Sequence, residues 1–175
     1  MGVKVVDHLI GAEALAEVLP FPNKVAVVYM TGAQLLETLE AASQGLPYTA
    51  ETADACASLM QVSGLTYTVD TTKVYDALEA YGDHWFTAGS VSRVRIDDVN
   101  GQPFDAEATY AVVTSNANFN GMDSSYVLKA AAEANEQSAV TTAVVRDVVF
   151  RFIAAELNHQ VGEAYAAPQG RLTIL

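Results

Sequence analysis

A junction near residue 30 constrains the fold of this chain more than any other feature of its sequence. Residues 24–30 form an apolar, β-branched run that is typical of a strand. The segment from Thr31 to Gln34 follows at once and has the form of a capping box, in which a helix begins directly after the strand. An apolar face at helical spacing then continues to about residue 43. The sequence therefore predicts a strand that leads straight into a helix.

The rest of the chain alternates between helical and strand patterns. The dipeptide Asn100-Gly101 is typical of a tight turn between two strands. Residues 71–90 carry aromatic side chains among polar ones and are interpreted as an elaborated loop or short helix. Further strands are predicted over 59–69, 91–99, 110–115 and 171–175, helices over 12–19, 127–134 and 140–157, and a polar loop over 116–125. This mixed order predicts an α+β fold, with mixed β-sheets and flanking helices, in a single domain over residues 1–175.

The composition is that of a globular protein with an acidic surface. Hydrophobic residues make up 51% of the 175 residues, and the formal net charge is −12. A surface this acidic repels phosphate backbones, which disfavours general nucleic-acid binding. No apolar run approaches the roughly 18 residues that a membrane-spanning helix needs. Cys56 is the only cysteine, so it has no partner for an internal disulfide and is interpreted as structural.

No pattern along the chain is typical of a catalytic centre. His8, His84 and His159 stand apart from one another and from acidic residues at metal-ligand spacing. The sequence also lacks a glycine-rich phosphate loop and a Gly-x-Ser-x-Gly nucleophile motif. The serine of Ser63-Gly64 has no companion base. The sequence therefore predicts no catalytic residue and no metal site within this chain.

Three segments, taken in order, carry a resemblance to a known family. They are LPFPN at residues 19–23 followed by MTGAQLL at 30–36, then QVSGLTY at 61–67, then YAVVTSNANFNG at 110–121, with GRL at 170–172. Together they resemble the C-terminal domain of the 5′-nucleotidase family, which includes UDP-sugar hydrolases and 2′,3′-cyclic-nucleotide 2′-phosphodiesterases. Each motif alone is weak, but the ordered set is specific and spans nearly the whole chain. The resemblance implies the α+β fold of that domain.

The resemblance also implies a division of labour. In this family, hydrolysis belongs to an N-terminal metallophosphoesterase domain with two divalent metal ions, which we expect to lie outside this chain. The chain itself is then expected to recognise substrate, to hold no cofactor and to be inactive alone. Its expected partners are a nucleoside or nucleotide and its own N-terminal domain. Because family members are mostly exported, the resemblance implies an extracellular, periplasmic or cell-wall location.

Two phenylalanines match the family positions that sandwich the base. These are Phe21, in the LPFPN segment, and Phe119, after the strand over 110–115. Stacking on aromatic rings suits this task because every base has two π-faces, and it is worth roughly 1–3 kcal/mol per base. The alternative is that each phenylalanine is an ordinary core residue.

Four further residues match substrate-binding positions of the family. Asn23 falls near the base edge, where an amide offers both a donor and an acceptor, although a plain turn residue is an alternative. Asp123 matches the acidic residue of a GGDG-type loop that accepts hydrogen bonds from ribose hydroxyls. Ser63 and Gly64 match the QVSG segment, where glycine allows the backbone to approach a ligand or forms a bulge.

Two departures from the family pattern leave alternatives open. The loop over 120–126 has lost the double glycine, so the register of its aspartate is unsettled. The aromatic insertion over 71–90 adds a wall to the pocket, packs on the N-terminal domain or covers the core. A non-catalytic surface or interaction module that has lost nucleoside binding is therefore the second interpretation of this chain.

Overall fold

The computed structural model describes residues 11–83 and 85–175, with the backbone alone for Cys56 and Ala164. In chain order its helices and strands are α1 (Ala12–Val18), β1 (Lys24–Thr31), α2 (Gly32–Ala42), β2 (Leu65–Val69), β3 (Ala77–Tyr81), β4 (Trp85–Ala88), β5 (Val94–Val99), β6 (Gln102–Pro103), β7 (Thr109–Ser115), α3 (Asn116–Phe119), α4 (Tyr126–Ala134), β8 (Ala139–Val144), α5 (Val145–Glu156) and β9 (Leu172–Ile174). Short 3₁₀ turns lie at Ala55–Ser58 and Glu163–Tyr165. The mixture of helices and strands confirms the predicted α+β class.

The strands pair into three sheets. The first has the order β7-β1-β8, with β1 antiparallel to both neighbours. The second has the order β6-β5-β2-β9, and β9 runs parallel to β2 while the other pairs are antiparallel. The third is the β3–β4 hairpin. The predicted turn at Asn100-Gly101 is confirmed, because it joins β5 to β6 with positive φ angles of 52° and 73°.

The junction between β1 and α2 has the predicted capping box. The Gln34 backbone N–H donates to the Thr31 hydroxyl at 3.2 Å, and the Thr31 backbone N–H donates to the Gln34 side-chain oxygen at 2.9 Å. Gly32 follows the cap at a place where no side chain fits. A Cβ there would lie 2.2 Å from the backbone oxygen of Asp105. The glycine therefore lets the segment before β7 approach the start of α2.

Buried apolar side chains from both larger sheets form one core. They come from β1, α2, β2, β5 and α4, and they include Val28, Met30, Leu35, Leu39, Tyr67, Val69, Val94, Ile96, Val127 and Leu128. Burying a side chain of this size contributes about 1.5–3 kcal/mol relative to leaving it exposed. The two helices α2 and α4 thus tie the first sheet to the second.

A buried polar network joins the end of α2 to β5. The Glu40 carboxylate is fully buried and accepts hydrogen bonds from the backbone N–H groups of Arg93 and Val94. The Arg93 guanidinium donates to the carbonyls of Ser43 and Leu46, at 3.0 and 2.6 Å. These contacts bind carbonyls that follow the C-terminus of α2, where backbone acceptors lack partners within the helix. Burial lowers the pKa of Arg93, and the nearby Glu40 charge opposes that shift.

The prediction for residues 71–90 was wrong. This segment contains the β3–β4 hairpin, which turns near Gly82 with φ 73°. The sequence did not indicate the strand at Ala77–Tyr81, because alanine, leucine and glutamate favour a helix. Contacts made elsewhere in the chain hold the hairpin, because Phe86 N–H donates to the Gln44 side chain and Ala88 N–H to the Tyr126 hydroxyl. Tertiary contacts of this kind override local propensity.

Three other predicted segments need correction. The helix predicted over 140–157 begins only at Val145, because the β-branched residues of Ala139–Val144 pair with β1 as β8. The strand predicted over 59–69 is limited to Leu65–Val69. The loop predicted over 116–125 opens with the short helix α3, which the Ser115 hydroxyl caps by accepting from Asn118 N–H at 3.2 Å.

Candidate functional site

The two phenylalanines matched to base stacking flank the same end of the β1–β7 pair. The last paired residues at this end are Val25 and Ser115. Phe21 lies four residues before Val25, and Phe119 lies four residues after Ser115. The backbone N–H of Lys24 donates to the Asn116 side chain at 2.7 Å, which ties the start of β1 to α3. The antiparallel register therefore brings both phenylalanine segments to the same end of the β1 and β7 strands.

The two rings differ in their surroundings. Phe21 is 70% exposed, although it is a large apolar side chain. Phe119 is half-buried and packs against the hydrophobic core. Among the described aromatic rings, these two make no contact with each other. The core thus supports the Phe119 ring, whereas the Phe21 ring, just before β1, is mostly exposed to solvent.

Asn23 lies beside Phe21 and is half-buried. Its backbone carbonyl accepts from Val145 N–H at 2.8 Å, so its main chain joins the start of β1 to the start of α5. Its side-chain amide makes no hydrogen bond with the described residues. The Asn23 backbone therefore has a structural role, whereas its side-chain amide has no hydrogen-bond partner among the described residues.

A cavity of about 890 Å³ lies between α2, β7 and the segment before β2. Its inner wall is apolar and includes Leu35, Leu39 and Leu128. Its polar lining comes from helices, a strand and loops, and it includes Thr38, Ser58, Gln61, Ser63, Asn100, Thr114, Asn118 and Asp123. Three of the predicted site residues, Ser63, Gly64 and Asp123, therefore share one cavity. The predicted residues Phe21, Asn23 and Phe119 are not in its lining, but Asn118 of the lining directly precedes Phe119.

Gly64 is required by the packing of the cavity wall. Its φ is +83°, and a Cβ there would lie 2.9 Å from the Asn100 side-chain oxygen. The Gly64 carbonyl also accepts from Asn100 N–H at 2.7 Å. The glycine of the QVSG segment thus brings the loop after β5 close to the segment before β2. Asn100 faces the cavity as a consequence, although the sequence analysis assigned it only to a turn.

The segment before β2 is held in place by two side chains, one from β2 itself and one from the residue before β9. The Tyr67 hydroxyl donates to the Met60 carbonyl at 2.6 Å, and the Arg171 guanidinium donates to the Val62 carbonyl at 3.2 Å. Burial raises the pKa of Tyr67 to about 12, so this hydroxyl keeps its proton at neutral pH. Both contacts fix the wall that carries Ser63 and Gly64. The QVSGLTY motif contains Tyr67, but only the fold reveals its target.

The segment around Asp123 is a tight loop between α3 and α4. It is closed by hydrogen bonds from Met122 N–H to the Ala117 carbonyl and from Ser125 N–H to the Met122 carbonyl, at 3.1 and 3.0 Å. Asp123 and Ser124 have positive φ angles of 52° and 63°. Asp123 is exposed toward the cavity, whereas the Ser124 side chain is fully buried. The loop therefore directs a carboxylate outward without the double glycine.

The described part of the chain offers no metal centre. No group of three or more His, Cys, Asp or Glu side chains in residues 11–83 and 85–175 is arranged to hold a metal ion. His8, His84 and the Cys56 side chain lie outside the described residues. Within the same ranges, no helix is both long and apolar enough to cross a bilayer. The described residues therefore do not fit the pair of divalent metal ions that the family resemblance implies for the other domain.

Comparison with known proteins identifies the family. The model of the family described as "5′-nucleotidase, C-terminal domain" matches residues 7–130. The chain belongs to this family. A search of curated proteins found no match. The matched region includes the predicted residues from Phe21 to Asp123, together with the cavity wall around Gly64.

Solved structures show the same fold. A 5′-nucleotidase precursor from Thermus thermophilus is 30% identical, with a TM-score of 0.69, over 95% of this chain and 28% of that one. An NAD nucleotidase from Haemophilus influenzae is 16% identical, with a TM-score of 0.63, over 95% of this chain and 27% of that one. The 175 residues thus span less than a third of the length of either protein.

Proposed function

We propose that this chain is a single substrate-recognition domain of a 5′-nucleotidase-type phosphohydrolase, and that it binds the nucleoside part of a nucleotide. The observation that carries the proposal is the position of Phe21. Phe21 is an exposed aromatic ring at the strand end that also leads to Phe119. Asn118, which precedes Phe119, lines the cavity that contains Asp123 and Ser63. Family membership supplies the context for this arrangement.

The base stacks between Phe21 and Phe119 in this proposal. Leaving Phe21 in water forgoes roughly 1.5–3 kcal/mol of burial, which a stacked base would recover. Phe119 suits the opposite side because the core already holds it in place. A sandwich of two rings accepts purines and pyrimidines alike, since stacking depends on a π-face and not on a hydrogen-bond pattern.

The polar residues then bind the edges of the nucleoside. The Asn23 amide offers a donor and an acceptor to the base edge. The Asp123 carboxylate accepts hydrogen bonds from the ribose hydroxyls, and bonds of this charged type contribute about 1.5–3 kcal/mol. Ser63 and Gly64 present a hydroxyl and an accessible backbone on the opposite wall of the cavity.

The charge of the cavity favours a nucleoside over a phosphate as its ligand. Its described lining includes Asp123 and contains neither lysine nor arginine. The chain as a whole carries 21 acidic and 9 basic residues, so its field repels a phosphate. Binding of the phosphate therefore falls to groups outside this lining.

The parent protein supplies the remaining chemistry in this proposal. An N-terminal metallophosphoesterase domain with two divalent metal ions would hydrolyse the phosphate ester. This chain binds and orients the nucleoside, and such remote binding energy contributes to rate as well as to affinity. The family resemblance further supports an exported protein, located outside the cell, in the periplasm or at the cell wall.

Calorimetric titration of the 175-residue chain with adenosine, uridine and AMP tests the proposal. We expect nucleoside binding that disappears in a Phe21→Ala, Phe119→Ala double variant, with AMP no tighter than adenosine. Phe152→Ala is the matched control, because Phe152 is also an exposed phenylalanine, at 48%, but lies on α5. Binding that survives in the double variant would refute the stacking proposal.

A second candidate function is an interaction module that has lost nucleoside binding. The exposure of Val18 and of Phe21, three residues later, at 61% and 70%, favours it, because clustered exposed apolar side chains are typical of contact surfaces. Titration separates the two functions. A chain that binds no nucleoside at millimolar concentration, either alone or as part of its full-length parent, would establish the interaction module over the nucleoside site.

A further inference from the structure

The β3–β4 hairpin packs on the loop that carries Asp123. At the end of β3, the Tyr81 hydroxyl donates to the Gly121 carbonyl at 2.8 Å, across 40 residues of sequence. The Tyr81 ring also lies against the Tyr126 ring, with centroids 5.5 Å apart. None of the motifs that mark the family lies in residues 71–90. Besides its hydrogen bond to the Gln44 side chain, the hairpin therefore binds the loop that carries Asp123.

Both ends of this loop are bound to the hairpin. Gly121 precedes Asp123, and Tyr126 is the first residue of α4 after it. The Tyr126 hydroxyl accepts from Ala88 N–H at 3.0 Å and donates to the Glu37 carboxylate at 2.8 Å. Burial, and the Glu37 carboxylate beside it, raise the pKa of Tyr126, so the hydroxyl remains a donor at neutral pH. The hairpin thus holds the loop at its beginning and at its end.

The loop needs such support because its own side chains do not stabilise it. Asp123 and Ser124 both have left-handed backbone conformations, which are uncommon for residues other than glycine and less well tolerated by serine than by aspartate. The buried hydroxyls of Ser124 and Ser125 have no hydrogen-bond partner among the described residues. A strained loop with unpaired polar groups keeps its shape only when its surroundings impose it.

The contact between Tyr81 and Gly121 is also sterically tight. Gly121 is buried with φ +90°, and a Cβ there would lie 2.2 Å from the Tyr81 hydroxyl oxygen. The loop therefore approaches the hairpin as closely as a glycine permits. The hydrogen bond from the Tyr81 hydroxyl to the Gly121 carbonyl therefore fixes the position of the loop backbone at Gly121.

We propose that Tyr81 is a positioning residue that holds the Asp123 loop in the conformation that reads the ribose hydroxyls. The inference rests on the proposed nucleoside-binding function. Tyr81 itself contacts the backbone of the loop, not the ligand, and acts through Asp123.

The test compares adenosine with 2′,3′-dideoxyadenosine, which lacks the 2′- and 3′-hydroxyls that Asp123 is proposed to bind. Calorimetry with the 175-residue chain gives the ratio of the two Kd values. We expect Tyr81→Phe to weaken adenosine binding about three- to tenfold and to leave dideoxyadenosine binding within about twofold, as for the loss of one neutral hydrogen bond. In an Asp123→Asn background, Tyr81→Phe should change neither Kd.

Tyr75→Phe is the matched control. The Tyr75 hydroxyl donates to the Phe86 carbonyl at 2.8 Å, so both partners of this hydrogen bond lie within residues 71–90 and outside the Asp123 loop. Its removal costs the hairpin one hydrogen bond of the same kind. We expect Tyr75→Phe to leave the ratio of the two Kd values at its wild-type value. Chemical unfolding of both variants checks that each is folded.

The outcomes separate this inference from the proposed function. A wild-type chain that prefers adenosine, together with a Tyr81→Phe variant that keeps the same preference, would refute the role of Tyr81 and leave the nucleoside site intact. Equal weakening of both ligands would reduce Tyr81 to a structural residue and also refute the proposal. A wild-type chain that binds neither ligand would overturn the proposed function and the positioning role together.

Discussion

Glu40, in α2, and Asp123, just before α4, are both carboxylates close to the same core, but their surroundings are opposite. Glu40 is fully buried, and its oxygens accept from two backbone N–H groups of β5 and the residue before it. Asp123 is exposed at the cavity and makes no hydrogen bond through its carboxylate with the described residues. The first carboxylate is satisfied by the protein, and the second is open to a partner from outside.

The same contrast extends to the surrounding residues. Around Glu40, Arg93 is 3% exposed and donates to two carbonyls, with only its Nε unpaired among the described groups. By contrast, Ser63 is exposed in the cavity lining, and Phe21 is exposed near the end of the β1–β7 pair. Satisfied buried groups belong to the fold, because an unmet partner there costs free energy. Unsatisfied exposed groups beside a cavity are the ones available to a ligand.

The largest effect is expected in the buried network. Glu40→Ala leaves the backbone N–H groups of Arg93 and Val94 without their buried acceptor, and it removes the negative charge near the Arg93 guanidinium. Removing one partner from a buried charged network typically costs about 3–5 kcal/mol. Urea unfolding should therefore show a loss of this size in the free energy of unfolding.

An exposed ion pair supplies the control for that experiment. Arg95 and Asp97 pair at 2.8 Å on the surface of β5, where the Arg95 side chain is 76% exposed. Asp97→Ala should lower the free energy of unfolding by no more than about 1 kcal/mol, as for other surface pairs. Equal losses in Glu40→Ala and Asp97→Ala would contradict the structural role assigned to Glu40.

The next largest effect is expected at Phe21, in binding and not in stability. Phe21→Ala should weaken adenosine by roughly 1–3 kcal/mol, which is about 5- to 150-fold in Kd. The free energy of unfolding should change by less than about 0.5 kcal/mol, because the ring is exposed. A variant that loses stability but keeps its affinity would place Phe21 with the fold instead of the site.

A smaller effect is expected at the helix cap. Thr31→Ala removes the side-chain acceptor of the capping box at the start of α2. Such a loss typically costs about 1 kcal/mol. We expect a reduced midpoint of thermal unfolding and an unchanged Kd for adenosine, since Thr31 lies outside the cavity lining. A Thr31→Ser variant, which keeps the acceptor, should retain most of the stability.

The smallest effect concerns pH. Hydrogen bonds from the Thr66 hydroxyl and from Gly101 N–H lower the pKa of Asp98. Because the folded pKa lies below that of the unfolded chain, Asp98 stabilises the fold above the unfolded value of about 3.9, and this contribution is lost as the pH falls through the folded pKa. Asp98→Asn should flatten the acid limb of stability against pH. An unchanged acid limb would show that Asp98 has no such role.

The sequence predicted those features that depend on neighbours along the chain. Thr31 and Gln34 form their capping box within four residues, and Asn100-Gly101 turns by its own conformational preference. The strand at Ala139–Val144 was mistaken for helix because its partner β1 lies more than a hundred residues earlier. Local patterns cannot indicate such a partner.

The site divides in the same way. Phe21, Ser63, Gly64 and Asp123 were predicted as site residues from motifs, and the structure brings the last three into one cavity. Asn100 reaches that cavity only because Gly64 permits its approach. Tyr81 reaches the Asp123 loop only through the fold of a segment that was predicted as loop or helix. Contacts across long separations in sequence therefore account for the residues that motifs missed.

The most direct measurement locates the bound base. Nuclear Overhauser effects between the base protons of saturating adenosine and the protein side chains report contacts at short range. The stacking proposal predicts effects to the ring protons of both Phe21 and Phe119. Effects confined to the methyl groups of Leu35, Leu39 and Leu128, on the inner wall of the cavity, would place the base elsewhere and contradict it.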